Sequence, residues 1–486
     1  MADRIGGMPM LSGKKIFAFS KKRSLSIGYA GKFVEEFRNY FFSHRFDNTQ
    51  TAVNYVFGLL KCTKGEANME RMEEEVPNGD YRAYQQFISN SNWDCDGLQN
   101  SMAIETSELL DSQKCIKGKP TGYIIDESSH LKKGEKSVGV SRQYAGVIGK
   151  VDNCQVGAYA SLVNQTNACI INERLFLPES WTESPARCNS AGIPDKFQQF
   201  KTKPQLALDM IKQDIERGVK FDWIGGDGLY GHNAELCYGI DKLDKLYVLN
   251  VHKDEKVFLS EPTFSIPKKT RGRGRKPTKL KANQDDIRLD KLIRQLDDQQ
   301  WKLEEIRDTT KGKLRLYVYK TNIWTWDSRS GKATRRTLII TKTKEARPKV
   351  KYSFSNGGLN RYTHQQYAYF VAQRYWVERT FDNAKNELGM SDYQSRKWKS
   401  WHHHHSLVML TLLFVMKQKM ENQEQVPLLS FRDTRILIIM QIFGIDIKEE
   451  KRKLKQMNKR HEKRKQDIKL SYEKQRRKKS ETNFVK

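Results

Sequence analysis

Two short apolar runs in this chain stop on an aspartate, and that punctuation constrains the fold more than any other feature. Tyr123-Ile124-Ile125, introduced by Gly122, runs into Asp126, and Trp223-Ile224 leads through Gly225 and Gly226 into Asp227. A short apolar run bounded by turn formers reads as a buried strand. A carboxylate that ends such a strand stands at the rim of a sheet, and the glycines beside Asp227, including Gly228, let the backbone turn sharply there. A third acid, Glu378, lies in a stretch without Gly or Pro from Arg361 to Glu387, with Phe370, Val377, Phe381 and Leu388 at helical spacing. Two strand ends and one helix can converge on one point.

Mg2+ prefers octahedral oxygen coordination and keeps several waters, so a few carboxylates plus phosphate oxygens satisfy it. Two such ions about 4 Å apart can activate an attacking water or 3'-hydroxyl and stabilise the leaving oxygen, with Mn2+ able to substitute. Each acid alone also has an ordinary explanation, because the chain carries 58 Asp and Glu residues. Arg374, Glu378 and Lys385 fall within about 40° of one another on a helix of 3.6 residues per turn. That stripe reads either as a catalytic carboxylate between two cations or as a surface ladder worth about 0.3–0.5 kcal/mol per pair.

The charge balance points to the partner. The chain has 87 Lys and Arg against 58 acids, a formal charge of +29. An excess of that size attracts polyanions and makes binding fall steeply with salt. A ribosomal or membrane-surface partner would satisfy the charge equally, but neither needs the three carboxylates. The seven cysteines are scattered, odd in number and never spaced as CxxC, which fits a reduced cytosol better than a disulfide framework or zinc ribbon. Ser12 to Lys15 breaks up the N-terminal apolar residues before they reach signal-peptide length. The longest apolar run, Leu407 to Met416, is too short to span a bilayer and is expected to be a buried helix. The expected location is the cytoplasm, with no membrane partner.

The order of parts follows from composition and periodicity. Residues 1–30 read as a basic irregular arm, and 31–115 as a helical region that either binds DNA or caps the core. A core then runs over 116–257: strands at Tyr123 to Asp126, Cys154 to Val163 and Ala168 to Leu177, a helix at Gln205 to Arg217, and strands at Phe221 to Ile224 and Leu246 to Val251. Three strands, a helix and a strand, with acids ending the first and fourth strands, is the order of an RNase H-like fold. Residues 258–356 read as an inserted, mainly β subdomain with strands at Arg315 to Tyr319 and Thr337 to Thr341. Its basic loop carries Arg271, Arg273 and Arg275, and resembles segments whose slim glycines let arginines reach the floor of an A·T-rich minor groove; a solvated loop that contacts phosphates is the alternative. Residues 357–425 bring the Glu helix, and 426–486 form a Lys- and Arg-rich helical or disordered tail. His402 to His405 are four consecutive histidines, which point in four directions on a helix. Packing, capping or phosphate contact is expected there rather than a metal.

The segment Arg374-x3-Glu378-x6-Lys385 resembles the end of the Tyr-Arg-Glu-Lys signature of bacterial insertion-sequence transposases of the DDE class. Asp126 to Gln155 is similar to the first-Asp block of one branch of that group, and RLFLPESW at Arg174, GIP at Gly192, FKTKPQLAL at Phe200 and GGDGLYG at Gly225 match further. The resemblance runs with gaps from Gly31 to Lys417. The signature's Tyr would fall at position 371, where this chain has Val371. The resemblance implies the RNase H-like fold, Asp126, Asp227 and Glu378 as metal-holding catalytic acids, and Arg374 and Lys385 as phosphate contacts. It also implies a dimer holding both element ends on double-stranded DNA. Lys132, Lys133 and Arg142, in the first-Asp block, join the expected DNA contacts.

The leading expectation is therefore a transposase that binds terminal inverted repeats, cuts the ends and joins them to target DNA, near the bacterial nucleoid. A stand-alone metal-dependent nuclease and a domesticated DNA-binding protein without catalysis are the alternatives.

Overall fold

A computed structural model describes residues 27–443 apart from 63, 268–276, 310–311, 328–331, 346 and 423–429. Arg271, Arg273 and Arg275 of the basic loop, and the tail beyond 443, lie outside the described residues.

The chain opens on helices: α1 (Ile27–Glu35), α2 (Thr49–Lys61), α3 (Met69–Glu75), α4 (Tyr81–Ser89) and α5 (Cys95–Lys117). Residues 27–30, assigned above to the irregular arm, already belong to α1. Asp80 and Asp94 cap α4 and α5 by accepting bonds from backbone N–H groups of the first turn.

The core strands follow: β1 (Gly122–Leu131), β2 (Ser141–Ala145), β3 (Lys150–Asn164) and β4 (Asn167–Leu175). Helix α6 (Lys203–Glu216) leads to β5 (Trp223–Gly226), then the short α7 (Gly228–Gly231), α8 (Ala234–Lys242) and β6 (Leu246–Val251). Their spatial order is β4-β3-β1-β5-β6, with β1, β5 and β6 parallel and the other pairings antiparallel. The order and directions are those of the RNase H-like fold. β2 pairs with the near end of β3.

Two expectations change in detail. β1 does not end at Asp126 but runs five residues further, because β3 pairs with it from Gly122 to Leu131. Only on the β5 side does pairing stop, at Ile125↔Gly226. The segment after 257 is indeed rich in strands, yet it adds to the same sheet. β7 (Lys302–Thr309), β8 (Gly312–Asp327), β9 (Lys332–Thr343) and β10 (Val350–Ser355) form an antiparallel meander. Its last strand pairs with β6 through Tyr352↔Val251 to Ser355↔Val248, giving one sheet of ten strands. The meander keeps a small core of its own around Val257, Leu289, Ile323, Leu338 and Ile340.

Helix α9 (His364–Glu387) starts at a capping box in which Thr363 and Gln366 satisfy each other's backbone. It lies on one face of the sheet, where Phe370 packs on Trp223 with centroids 4.9 Å apart. Residues alternate faces along a strand, and Tyr123 accordingly points the other way, its hydroxyl donating to Asp214 of α6 at 2.7 Å. Helix α10 (Trp398–Glu421) is buried along nearly its whole length, Leu407 to Met416 included. No helix among the described residues is long and apolar enough to cross a membrane. Helix α11 (Phe431–Phe443) closes the described chain, with Arg435 reaching back to Glu387 at 3.0 Å.

The four histidines are packing residues. His403 stacks on Trp93 at 4.0 Å, His404 on Tyr393 at 4.8 Å and His405 on Trp401 at 4.0 Å. His402 instead meets the fully buried Glu173, Nδ1 to carboxylate at 2.6 Å.

Candidate active site

The register of two parallel strands sets the site. Ile124 lies opposite Gly225 and Ile125 opposite Gly226. Asp126 and Asp227 are the next residues on each chain, so the parallel register carries them to the same face, at adjacent strand ends. β5 ends there, since Asp227 caps α7 by accepting the Leu229 N–H at 2.9 Å. Gly231 makes that turn possible: a Cβ on it would lie 2.0 Å from the Asn250 carbonyl oxygen of β6.

Asp126 is nearly buried. Its carboxyl is pushed up to about 7, by desolvation first, with Asp227 and Glu127 adding to the rise and Arg374 opposing it. A buried carboxyl among like charges is poised to bind a cation, because the cation removes the cost of its ionisation.

Arg374 of α9 connects the third acid to the first. One guanidinium nitrogen lies 3.3 Å from Asp126 Oδ2 and the other 2.6 Å from Glu378 Oε1. Arg374 and Glu378 thus form an i,i+4 pair, and the ladder read from the sequence turns inward to a strand-end aspartate. Glu378 itself remains half exposed, its side chain 52% accessible.

The other expected cations separate into two groups. Lys385 donates to the Ser129 carbonyl at 2.9 Å, and burial lowers its pKa to about 8. Lys132 turns away from solvent, its ammonium 2.8 Å from the Tyr393 carbonyl and 3.7 Å from the centre of that ring, and burial lowers it also to about 8. Lys133 and Arg142 are exposed. Val371 is buried, and the nearby tyrosine hydroxyls serve backbone: Tyr367 donates to Gly357 O at 3.0 Å and Tyr369 to Pro120 O at 3.2 Å.

Two residues escaped the sequence reading. Among the described residues, the cluster able to hold a metal comprises Asp126, Glu127 and Asp227, with one ligand atom from each all within 4.8 Å of one another. Strand alternation alone would send Glu127 to the face opposite Asp126, so adjacency in sequence does not by itself group them. Tyr230, one turn after Asp227, is fully buried against these acids. The adjacency of Asp126 and Glu127, and the tyrosine inside GGDGLYG, were the available signals.

A family model of DDE superfamily endonucleases matches residues 36–313, more than half of the chain; the match includes Asp126, Glu127 and Asp227 and ends before Glu378. A curated relative, the "Probable transposase for insertion sequence element IS701" of Microchaete diplosiphon, is 29% identical over 174 residues, 35% of this chain and 40% of the relative. The chain therefore spans less than half of that relative's length. Among solved structures, a piggyBac transposase synaptic complex with hairpin DNA aligns at a TM-score of 0.38 and 10% identity, over 88% of this chain and 79% of that one. The NurA nuclease from Sulfolobus solfataricus aligns at 0.22 and 10%, over 65% and 93%. Both alignments are too loose to bear on the site, and the fold rests on the strand order itself. With both strand-end aspartates inside a family match that covers most of the sheet's parallel core, the chain belongs to the DDE superfamily endonucleases.

Proposed function

We propose that the chain is an insertion-sequence transposase. It binds the terminal inverted repeats of its element, hydrolyses a phosphodiester at each end and joins the freed 3'-hydroxyls to target DNA, as a dimer holding both ends in the bacterial cytoplasm. The observation that carries this reading is the placement of Asp126 and Asp227 one step beyond the last register pair of two parallel strands, in a chain of charge +29. The name of the curated relative supports the insertion-sequence assignment.

At the strand ends Asp126, Glu127 and Asp227 bring one carboxylate oxygen each within 4.8 Å of one another, an all-oxygen environment that fits a hard divalent cation such as Mg2+, or Mn2+ in its place. Asp126, Asp227 and Glu378 would hold such ions, two in the complete site, whose chemistry is Lewis-acid activation of the attacking oxygen and stabilisation of the leaving one. Arg374 keeps the helix carboxylate beside the strand carboxylate until a DNA phosphate competes for its guanidinium. Lys385 steadies the backbone at Ser129, and exposed Lys133 and Arg142 would contact phosphates along the duplex.

Incubating the full chain with labelled end duplex, a target plasmid and Mg2+ tests the reading. Joined product is the expected result. Cleavage without joining would make the protein a stand-alone nuclease, and binding alone a domesticated DNA-binding protein. If Asp227→Ala cuts as well as the parent, the catalytic assignment is wrong.

A further inference from the structure

The hairpin of β2 and β3 projects past the end of β1. Pairing between β1 and β3 stops at Leu131↔Cys154, while β2 and β3 continue together to Ala145↔Lys150. The two faces of this ribbon differ. Ala145 and Cys154 are fully buried and, with Val156, pack on Phe176. On the other face Tyr144 lies opposite Val151 and Arg142 opposite Asn153, because cross-strand partners share a face. Tyr144 and Val151 are 63% and 53% exposed, and at the tip Val147 and Ile148 are 59% and 37% exposed. Backbone bonds fix the turn. The N–H groups of Ile148 and Gly149 both donate to the Ala145 carbonyl, at 3.1 and 2.9 Å, and Gly149 takes a left-handed φ of +65°.

A bare apolar patch on a fixed tip marks a binding surface, and its surroundings select the partner. Among residues 131–153, Lys133, Lys136, Arg142 and Lys150 are exposed cations, against Glu135 as the exposed acid. Asp152 is half-buried and lies opposite Gln143, on the face that packs inward. A second copy meeting this hairpin tip to tip would set Arg142 and Lys150 against their own kind, which is unfavourable. Duplex DNA satisfies both parts of the surface. A two-stranded ribbon enters a groove, apolar side chains wedge between base steps, and cations hold the flanking phosphates. Strand β3 also sets the reach of the tip. Tyr159 lies opposite Asp126, and Lys150 stands nine residues earlier on the same strand. That separation is about 30 Å, close to one turn of B-DNA.

We propose that the turn from Ala145 to Lys150 is a DNA wedge. Val147 and Ile148 enter between base steps of the end duplex about one helical turn from the cut, with Arg142 and Lys150 on the phosphates beside them. The proposal rests on the reading that this chain cuts duplex DNA at the strand-end acids.

The test uses the full chain and end duplexes that each carry a single 2-aminopurine, moved base by base along the duplex, without Mg2+ so that the DNA stays intact. Fluorescence of this base rises when its neighbours unstack. The parent is expected to raise it several-fold at a step about one turn from the cleaved phosphate. Val147→Ser combined with Ile148→Ser should abolish the rise and weaken binding about tenfold, leaving the salt slope of binding unchanged. Arg142→Ala should lower that slope by about one. Circular dichroism melting curves confirm that each variant is folded. No rise at any position with the parent, or an equal rise with the double variant, overturns the inference and leaves the endonuclease reading standing. Self-association of the DNA-free chain in sedimentation, abolished in the double variant, overturns it too, because a second copy then covers the tip. Unstacking by a chain that never cuts the end duplex when Mg2+ is supplied sinks the transposase reading and leaves the wedge.

Discussion

Replacing Asp126 with Asn should make the metal-free protein more stable while removing its activity. The carboxyl has an ordinary value of 3.8 and stands at about 7 in the folded chain, chiefly because it is desolvated. A raised carboxyl keeps its proton in the folded state after the unfolded chain has lost it. Folding stability therefore falls as pH climbs from 3.8 towards 7, and the loss is complete above 7. A shift of roughly three units at 1.36 kcal/mol each corresponds to about 4 kcal/mol. Asn fills nearly the same volume and carries no charge to desolvate. The gain should be absent near pH 4, partial at pH 5.5 and full at pH 8. Urea unfolding of parent and Asp126→Asn, in EDTA at those three pH values, measures it. Saturating Mn2+ should stabilise the parent more than the variant, which has lost one of the site's anionic ligands. An Asn variant no more stable than the parent at pH 8, or a difference that does not vary with pH, would refute the reasoning.

Three further outcomes follow from particular contacts. Arg374→Ala removes the charge that holds the Asp126 carboxyl down, so the pH midpoint for Mn2+ binding should move upward, and the salt slope of end-DNA binding should fall by about one; an unmoved midpoint counts against the pairing. Burial pushes the His403 and His404 imidazoles down to about 3, so they stay neutral in the fold and stability is lost as pH falls from 6.5 towards 3. An acid titration followed by circular dichroism should show this limb, and His404→Phe should make it shallower. Gly231→Ala drives a methyl into the Asn250 carbonyl at 2.0 Å and should cost about 1–3 kcal/mol while displacing Asp227, read as a lowered melting temperature and weaker Mn2+ binding in titration.

Much of the parallel core was legible because its signals are local. Apolar runs at 123–125 and 223–224 are strands, and His364 to Glu387 is a helix because no Gly or Pro interrupts it and Thr363 caps it. What could not be read were the non-local facts. β1 continues past Asp126 because a partner strand 30 residues on keeps pairing with it. The strands after 257 join the main sheet because β10 finds β6, and alternation within 302–355 is the same for a separate sheet as for an extension. Glu127 was hidden by a sound rule, that strand neighbours face opposite ways, so its place beside Asp126 in sequence did not group the two. Lys132 looked like a phosphate contact because a lysine in a polar segment gives no sign that Tyr393 will cover it.

The pairing of β10 with β6 has a consequence for how the molecule comes into being. The helix that carries Arg374 and Glu378 follows β10, the meander strand that pairs with β6, and Arg374 meets Asp126 across 248 positions of chain. Closing a loop of that length is slow and comes after local structure has formed. A nascent chain released before residue 355 would own both strand-end aspartates and no helix carboxylate. On the proposed assignment of Glu378, synthesis order alone would keep such a fragment from cutting DNA.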